Sequence, residues 1–416
     1  MPADPDTADA SRTGPRGPLH RRPFRWFFAG RLASLTGSSM TGVALPLAVL
    51  EATGSVRDLS VVLAAQTLPL VVLLVGGAVA DRASRSRVLV LAHLGTSLAQ
   101  GAVAVLLITG RFDLLLVAGL QVAGGVCAGF TSPALRGVVP QLVPAPELQR
   151  ANALLASTRS ATRVGGPALA GVLVATAGGG WALAVDAAGY LLAAVCVSRL
   201  RLPPAPAAPG GPGGPRRLAR DLREGWDAFR QLRWVAFLTG VYAVLNLVLA
   251  GVWMVLGPVI ARGSVGATAW GLASSARAVG LLVAGLVLYR LVVRRLLALG
   301  QLCAALPAVA FLALGLGAGA PWLLAATFAA GVGGGAAAIA WETTLQEHVP
   351  PRLLSRVASY DELGAFLAVP LGQLLVVPLA AAAGDRTVAV AGAALYALVA
   401  LAALAHRPVR TLRHGA

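Results

Sequence analysis

The stretch GGAVADRASRSR, residues 76–87, decides how the chain is read. It follows QTLPLVVLLV and precedes VLVLA, both almost wholly apolar. Between them stand one acid, Asp81, and the arginines Arg82, Arg85 and Arg87. A helix in water spreads its charges along a polar face. Here the charge is confined to the turn, which places two hydrophobic segments in a bilayer with a short aqueous link between them.

The composition agrees. Of 416 residues, 57% are hydrophobic and only 12% are charged, and the mean hydropathy is +0.76. Soluble domains carry about 25% charged residues. Backbone groups in lipid must pair within their own segment, so helices are expected, and the strand alternation of a membrane barrel is absent. The net charge of +17 does not make a nucleic-acid binder, because the arginines sit in short loops between apolar segments. Cys127, Cys196 and Cys303 stand singly inside apolar segments with no CxxC pair. No metal, redox centre or cofactor is therefore expected. No cluster of His, Asp or Cys suggests an enzyme.

Hydropathy predicts about twelve spans. They cover 24–50, 57–80, 88–109, 113–134, 153–177, 181–199, 234–260, 269–289, 296–317, 321–341, 359–383 and 387–405. With both termini on one side, the loops of the opposite side hold only Arg57, Arg111, Arg262 and Arg386. Arg31, Arg159, Arg163 and Arg277 fall inside spans, and the remaining arginines gather on the side of the termini. The positive-inside rule makes that side cytoplasmic, in the cell's inner membrane. Residues 1–23 and 406–416 then read as cytoplasmic tails, and 24–199 and 234–405 as two six-helix bundles.

The bundles are joined by 200–233. It opens with the Pro/Gly run RLPPAPAAPGGPGGP and continues as RRLARDLREGWDAFRQLRW. There Leu218, Leu222, Trp226 and Phe229 share one helical face, which suits a helix lying on the membrane surface. The halves also match each other. QLVPAPELQR (141–150) returns as EHVPPRLLSR (347–356), and DRASRSR (81–87) is echoed by YRLVVRR (289–295), with Tyr289 in place of the acid. A duplicated six-helix half is the plan of a secondary transporter. Such a plan needs only one chain, so a monomer is sufficient.

With these features the sequence resembles the major facilitator superfamily. The turn carries its signature as Gly77, Asp81, Arg82 and Arg85, followed by Ser86 and Arg87. Residues 140–179 and 341–364 are similar to the branch holding siderophore exporters and macrolide-type drug efflux proteins. GGPALAG (165–171) is close to a pattern of proton-driven antiporters. The sequence departs from that pattern at three places. Thr162 replaces a leading glycine, 113–134 has no arginine and offers only Gln121 near its place, and Ser38 follows Gly37 where many members carry an acid. The resemblance implies that Asp81 docks near the start of span 11, around Ser359, when the cytoplasmic gate is closed. A helix N-terminus favours a carboxylate by roughly 0.3–2 kcal/mol. Arg82 and Arg85 are expected to serve the same gate, where Asp361 meets the latch arginines and Glu342 joins Arg352 or Arg356.

Charges inside spans are functional candidates, because each costs at least about 2.5–3.5 kcal/mol near the bilayer centre. Arg31, Arg163, Arg277 and Asp186 are the candidates for substrate or proton coupling. Ser38 joins them from the polar run LASLTGSSMTG (32–42) of span 1. His93, in span 3, reads as a polar interhelical contact. Ser359–Glu362 reads as a capping box opening span 11. Gly166, Pro167 and Gly171 in span 5, and Gly280 and Gly285 in span 8, are expected where helices approach closely or bend.

The expected function is export of a small, largely apolar molecule by alternating access, coupled to protons across the lipid bilayer. An importer or uncoupled facilitator of the same fold is the alternative. A non-transporting membrane sensor or scaffold is a third reading, and it lacks the large soluble domain it would require.

Overall fold

In a computed structural model, the protein is described over residues 18–69, 85–136, 138–200, 223, 226, 227, 229–291 and 293–412. Helix appears at every predicted span. The first half holds α1 (Arg22–Thr53), α2 (Val56–Thr67), α3 (Arg85–Ile108), α4 (Leu114–Arg136), α5 (Ala145–Ala177) and α6 (Gly179–Ser198). The second half holds α7 (Arg233–Arg262), α8 (Gly266–Arg290), α9 (Leu296–Gly315), α10 (Ala320–His348), α11 (Pro351–Ala383) and α12 (Asp385–Ala402). Ten of these are long and apolar enough to cross a membrane. The others are α2, 12 residues long, and α5, which carries Arg159 and Arg163. The protein is an all-α membrane protein of the two-bundle kind.

At the end away from the chain termini, the distal end, the links are tight. Gly54, with φ of 63°, closes α1 by donating its N–H to Leu50 O at 3.0 Å. Ser55 then caps α2 by accepting from the Asp58 N–H at 3.1 Å. Only a residue without a Cβ adopts that left-handed φ freely.

Internal duplication appears in the packing. α1 lies on α5 and α7 on α11, α2 on α4 and α8 on α10, α3 on α6 and α9 on α12. The halves meet through α5 against α8 and α2 against α11, again a symmetric pair. The repeated proline motifs do the same job in each half: Pro144 is the N-cap of α5 and Pro350 the N-cap of α11. Both helices therefore start about two turns earlier than hydropathy predicts. The expected capping box at Ser359–Glu362 is thereby overturned. Pro351 stands at the first helical position, where its fixed φ suits a helix start, so 359–362 is helix interior.

Large apolar side chains such as Leu91, Leu98, Leu115, Leu286 and Leu398 face outward, well exposed. On a multi-pass chain such a surface meets lipid, which is as apolar as leucine. The largest buried cluster runs across both halves and includes Leu50 and Val174 with Ile260 and Trp270. Toward the termini the described core divides. One cluster, around Phe24, Phe27, Leu89 and Val143, belongs to the first half. Another, around Phe229, Val235, Leu345 and Val357, belongs to the second.

Part of the linker helix is described. Trp226 and Phe229 stack at 5.9 Å between ring centroids, and both reach Tyr360, at 5.5 and 6.1 Å. Phe229 is buried. This aromatic face packs against α11 at Tyr360. Leu218 and Leu222 lie outside the described residues.

Candidate translocation site

A cavity of about 530 Å³ lies between the halves. Its walls come from α1, α2 and α5 of the first half and α7, α8 and α11 of the second. These are equivalent helices under the duplication. Three prolines border it. Pro46, Pro167 and Pro258 line the cavity together with the residues four positions earlier, Gly42, Arg163 and Met254. Proline has no N–H to donate to the carbonyl four residues back, so each of these helices lacks one backbone hydrogen bond where it faces the cavity. In α7 the proline follows a π-helical stretch, Ala250–Leu256. The consecutive residues Trp253 and Met254 of this stretch both reach the wall.

Arg163 of α5 and Arg277 of α8 both line this space. The Arg277 guanidinium lies over the Trp253 ring at 5.8 Å, and Trp253 tilts against Trp270 at 4.4 Å. Polar wall residues are Ser39, Gln66, Thr67, Ser160, Ser274 and Gln373. Gln373 joins the halves, since its Oε1 accepts from the Thr67 hydroxyl at 3.1 Å.

The distal ends meet almost backbone to backbone. A Cβ added at Gly171 would lie 2.8 Å from Ala267 O and 3.1 Å from Gly271 Cα, and one at Gly271 would run into Pro167 O. Arg262 adds a hydrogen bond across the halves, donating to Leu50 O. Elsewhere Gly166 lets α5 approach α1, because a Cβ there would overlap Ser39 Oγ. Gly280 lets α8 approach α10, where a Cβ would meet Phe328 O and Val332 N. Gly285 is roomier, with Ile339 Cδ1 at 4.0 Å from an added Cβ.

Asp186 is not part of the cavity wall. It is 1% exposed, between α6 and α1. Its Oδ2 accepts from the Thr41 hydroxyl at 2.7 Å, while Oδ1 has no partner among the described residues. Gly37 makes room for it, since a Cβ there would sit 2.6 Å from Oδ1. One turn along α6, Tyr190 stacks near His93 of α3, at 5.8 Å. Ser38 and Arg31 sit beside Tyr190, and Arg31 lies in the field of Arg159. Asp186, Ser38, Arg31 and His93 therefore share one polar seam behind α1, apart from Arg163 and Arg277.

Asp361 is buried in the second half. Its Oδ1 accepts from the Thr239 hydroxyl at 2.5 Å and its Oδ2 from the Trp341 indole at 2.8 Å. It thus ties α11 to α7 and α10. Trp341→Phe leaves one carboxylate oxygen unpaired and is expected to cost about 1–3 kcal/mol of stability. A lower thermal unfolding midpoint of the purified protein checks this; an unchanged midpoint contradicts it. Gly77, Asp81 and Arg82 lie outside the described residues, as do the side chains of Arg85 and Arg356. At the same end, Arg21 holds Glu147 through two hydrogen bonds of 2.9 Å, joining the start of α1 to that of α5. That pairing keeps the Glu147 carboxyl below the ordinary carboxylate range.

Sequence reasoning missed Trp253, Trp270, Thr67, Gln66 and Gln373. The amides carry a usable signal, because a polar side chain in an apolar span needs a reason to be there. The tryptophans carry none, since an apolar ring in an apolar span gives no sign of which way it faces.

Two repeated six-helix bundles with a shared cavity define a membrane transporter. The sequence matches the Major Facilitator Superfamily over residues 27–368, and the chain belongs to that superfamily. It is 31% identical over 388 residues to the multidrug efflux pump Tap of Mycolicibacterium fortuitum, spanning 89% of this chain and 90% of that protein. It is also 31% identical over 188 residues to the enterobactin exporter EntS of Salmonella typhi, 44% of this chain and 45% of that one. Among solved structures, the nucleoside transporter NupG matches with a TM-score of 0.71 at 12% identity, over 91% of this chain and 99% of that chain. A bacterial homologue of the iron transporter ferroportin matches at 0.68 and 18% identity, over 92% and 99%. At such identities these two structures speak for the fold alone.

Proposed function

We propose that this chain exports a small, largely apolar molecule, of drug or siderophore type, from the cytoplasm by proton antiport. It works as a monomer in the inner membrane with both termini cytoplasmic. The cavity walled equally by both halves is the observation that carries the reading. Similarity to Tap over nearly the whole chain supports export as the direction. The close distal contact at Gly171 and Gly271 fits a transporter closed on the outside, with the arginine-rich turns on the inside. Asp81, Arg82 and Arg85, with Asp361 and Arg356, would close the cytoplasmic end in the opposite state. Asp186 would carry the proton. One proton crossing 100 mV supplies about 2.3 kcal/mol.

The test is accumulation of antibiotics, dyes and siderophores in a pump-deficient host, with and without an uncoupler. At least one compound is expected to accumulate less on expression, with the uncoupler restoring it and Asp81→Asn abolishing the effect at matched protein levels. Higher accumulation on expression would contradict export.

A further inference from the structure

We infer that the cavity binds an organic anion carrying an aromatic ring, its acid group held between Arg163 and Arg277 and its ring against Trp253 and Trp270. This deepens the proposed export reading and rests on the same site. Each half brings one arginine to the cavity. Among the described residues neither has a carboxylate partner, and the wall contains no acid. A guanidinium at the wall of a low-dielectric space without a counter-ion bears a desolvation cost, which a ligand anion relieves. The Trp270 indole N–H, buried in the same wall, also lacks an acceptor. A guanidinium lying on the Trp253 face keeps its edge N–H groups for a carboxylate.

Geometry gives the anion a second role. From the Gly171–Gly271 crossing, Arg163 is roughly 12 Å along α5 and Arg277 roughly 9 Å along α8, both toward the chain termini. An anion between them therefore bridges the two halves on the same side of their contact. Its binding energy depends on how far apart the halves stand, which is the condition for a ligand to bias one state.

The experiment uses the full-length protein in lipid nanodiscs. Binding is read as energy transfer from tryptophan to 1-pyrenebutyrate, to its neutral amide and to a pyrene alkylammonium of matched length, with empty discs subtracted. The acid is expected to bind at least about tenfold more tightly than the amide, with the ammonium weakest. Arg163→Gln and Arg277→Gln are each expected to weaken the acid about tenfold and leave the amide unchanged. Arg277→Lys should restore part of the loss, and an unshifted unfolding midpoint shows that the variants are folded. Equal binding of all three probes, no binding of the acid, or an acid affinity indifferent to both glutamine variants overturns the inference. A charge-selective site in a protein that exports no compound from cells would uphold it and sink the export reading instead. Export with charge-blind binding would do the reverse.

Discussion

Gly271→Leu is expected to abolish transport while leaving the protein folded. The reason lies in where the glycine sits. A Cβ at Gly271 collides with Pro167 O and would lie 2.9 Å from Gly171 Cα, and both of these belong to the other half. The obstruction is backbone, so no rotamer change relieves it. Overpacking costs about 1–3 kcal/mol even where side chains can adjust. A penalty of about 3 kcal/mol on one of two states shifts their ratio roughly 100-fold. Each bundle keeps its own packing, because the collision is between halves. Spin labels at Arg111 and Trp322, exposed on α3–α4 and α10 at the distal end, report the outcome. The separation should lengthen in the variant and stop responding to substrate. An unchanged distance with unchanged transport would mean that these glycines are packing alone.

Asp186→Asn is expected to separate substrate movement from proton movement. Asparagine keeps the size of the side chain and can still accept from the Thr41 hydroxyl. It cannot gain or lose a proton. The carboxylate it replaces is 1% exposed, with one oxygen unpaired among the described residues. Protonation there changes the charge in the contact between α6 and α1, and α1 also forms part of the cavity wall. A buried charge is worth several kcal/mol, enough to move a helix contact between two arrangements. Uphill export should fall at least about tenfold in the variant, while downhill exchange of the same compound continues. Full uphill export by Asp186→Asn would remove this residue from the coupling.

The fold was readable because membranes allow few solutions. Apolar runs, turn arginines and the 141–150 and 347–356 repeat each speak at short range, and the structure places Pro144 and Pro350 at the same point of their halves. Glycines 166, 171 and 280 were visible as small residues in spans, although Gly271, which faces Gly171, was not singled out. The site was harder to read. Arg163 and Arg277 announced themselves by charge, yet nothing in the sequence tells which helix face meets the cavity. Asp186 looked equivalent to them and instead lies behind α1. Trp253 sits in a π turn that has no sequence signature. The start of α11 was misjudged because hydropathy follows the lipid boundary, whereas the helix continues into water as far as Pro351.

The measurement that bears most directly on proton-driven export is made in inverted membrane vesicles energised to acidify their interior. A compound whose accumulation in cells falls on expression is added, and the pH gradient is followed by dye fluorescence. The gradient should partly collapse on addition with the wild-type protein and hold steady with Asp186→Asn. Accumulation of the compound in wild-type vesicles with no movement of the gradient would contradict proton antiport.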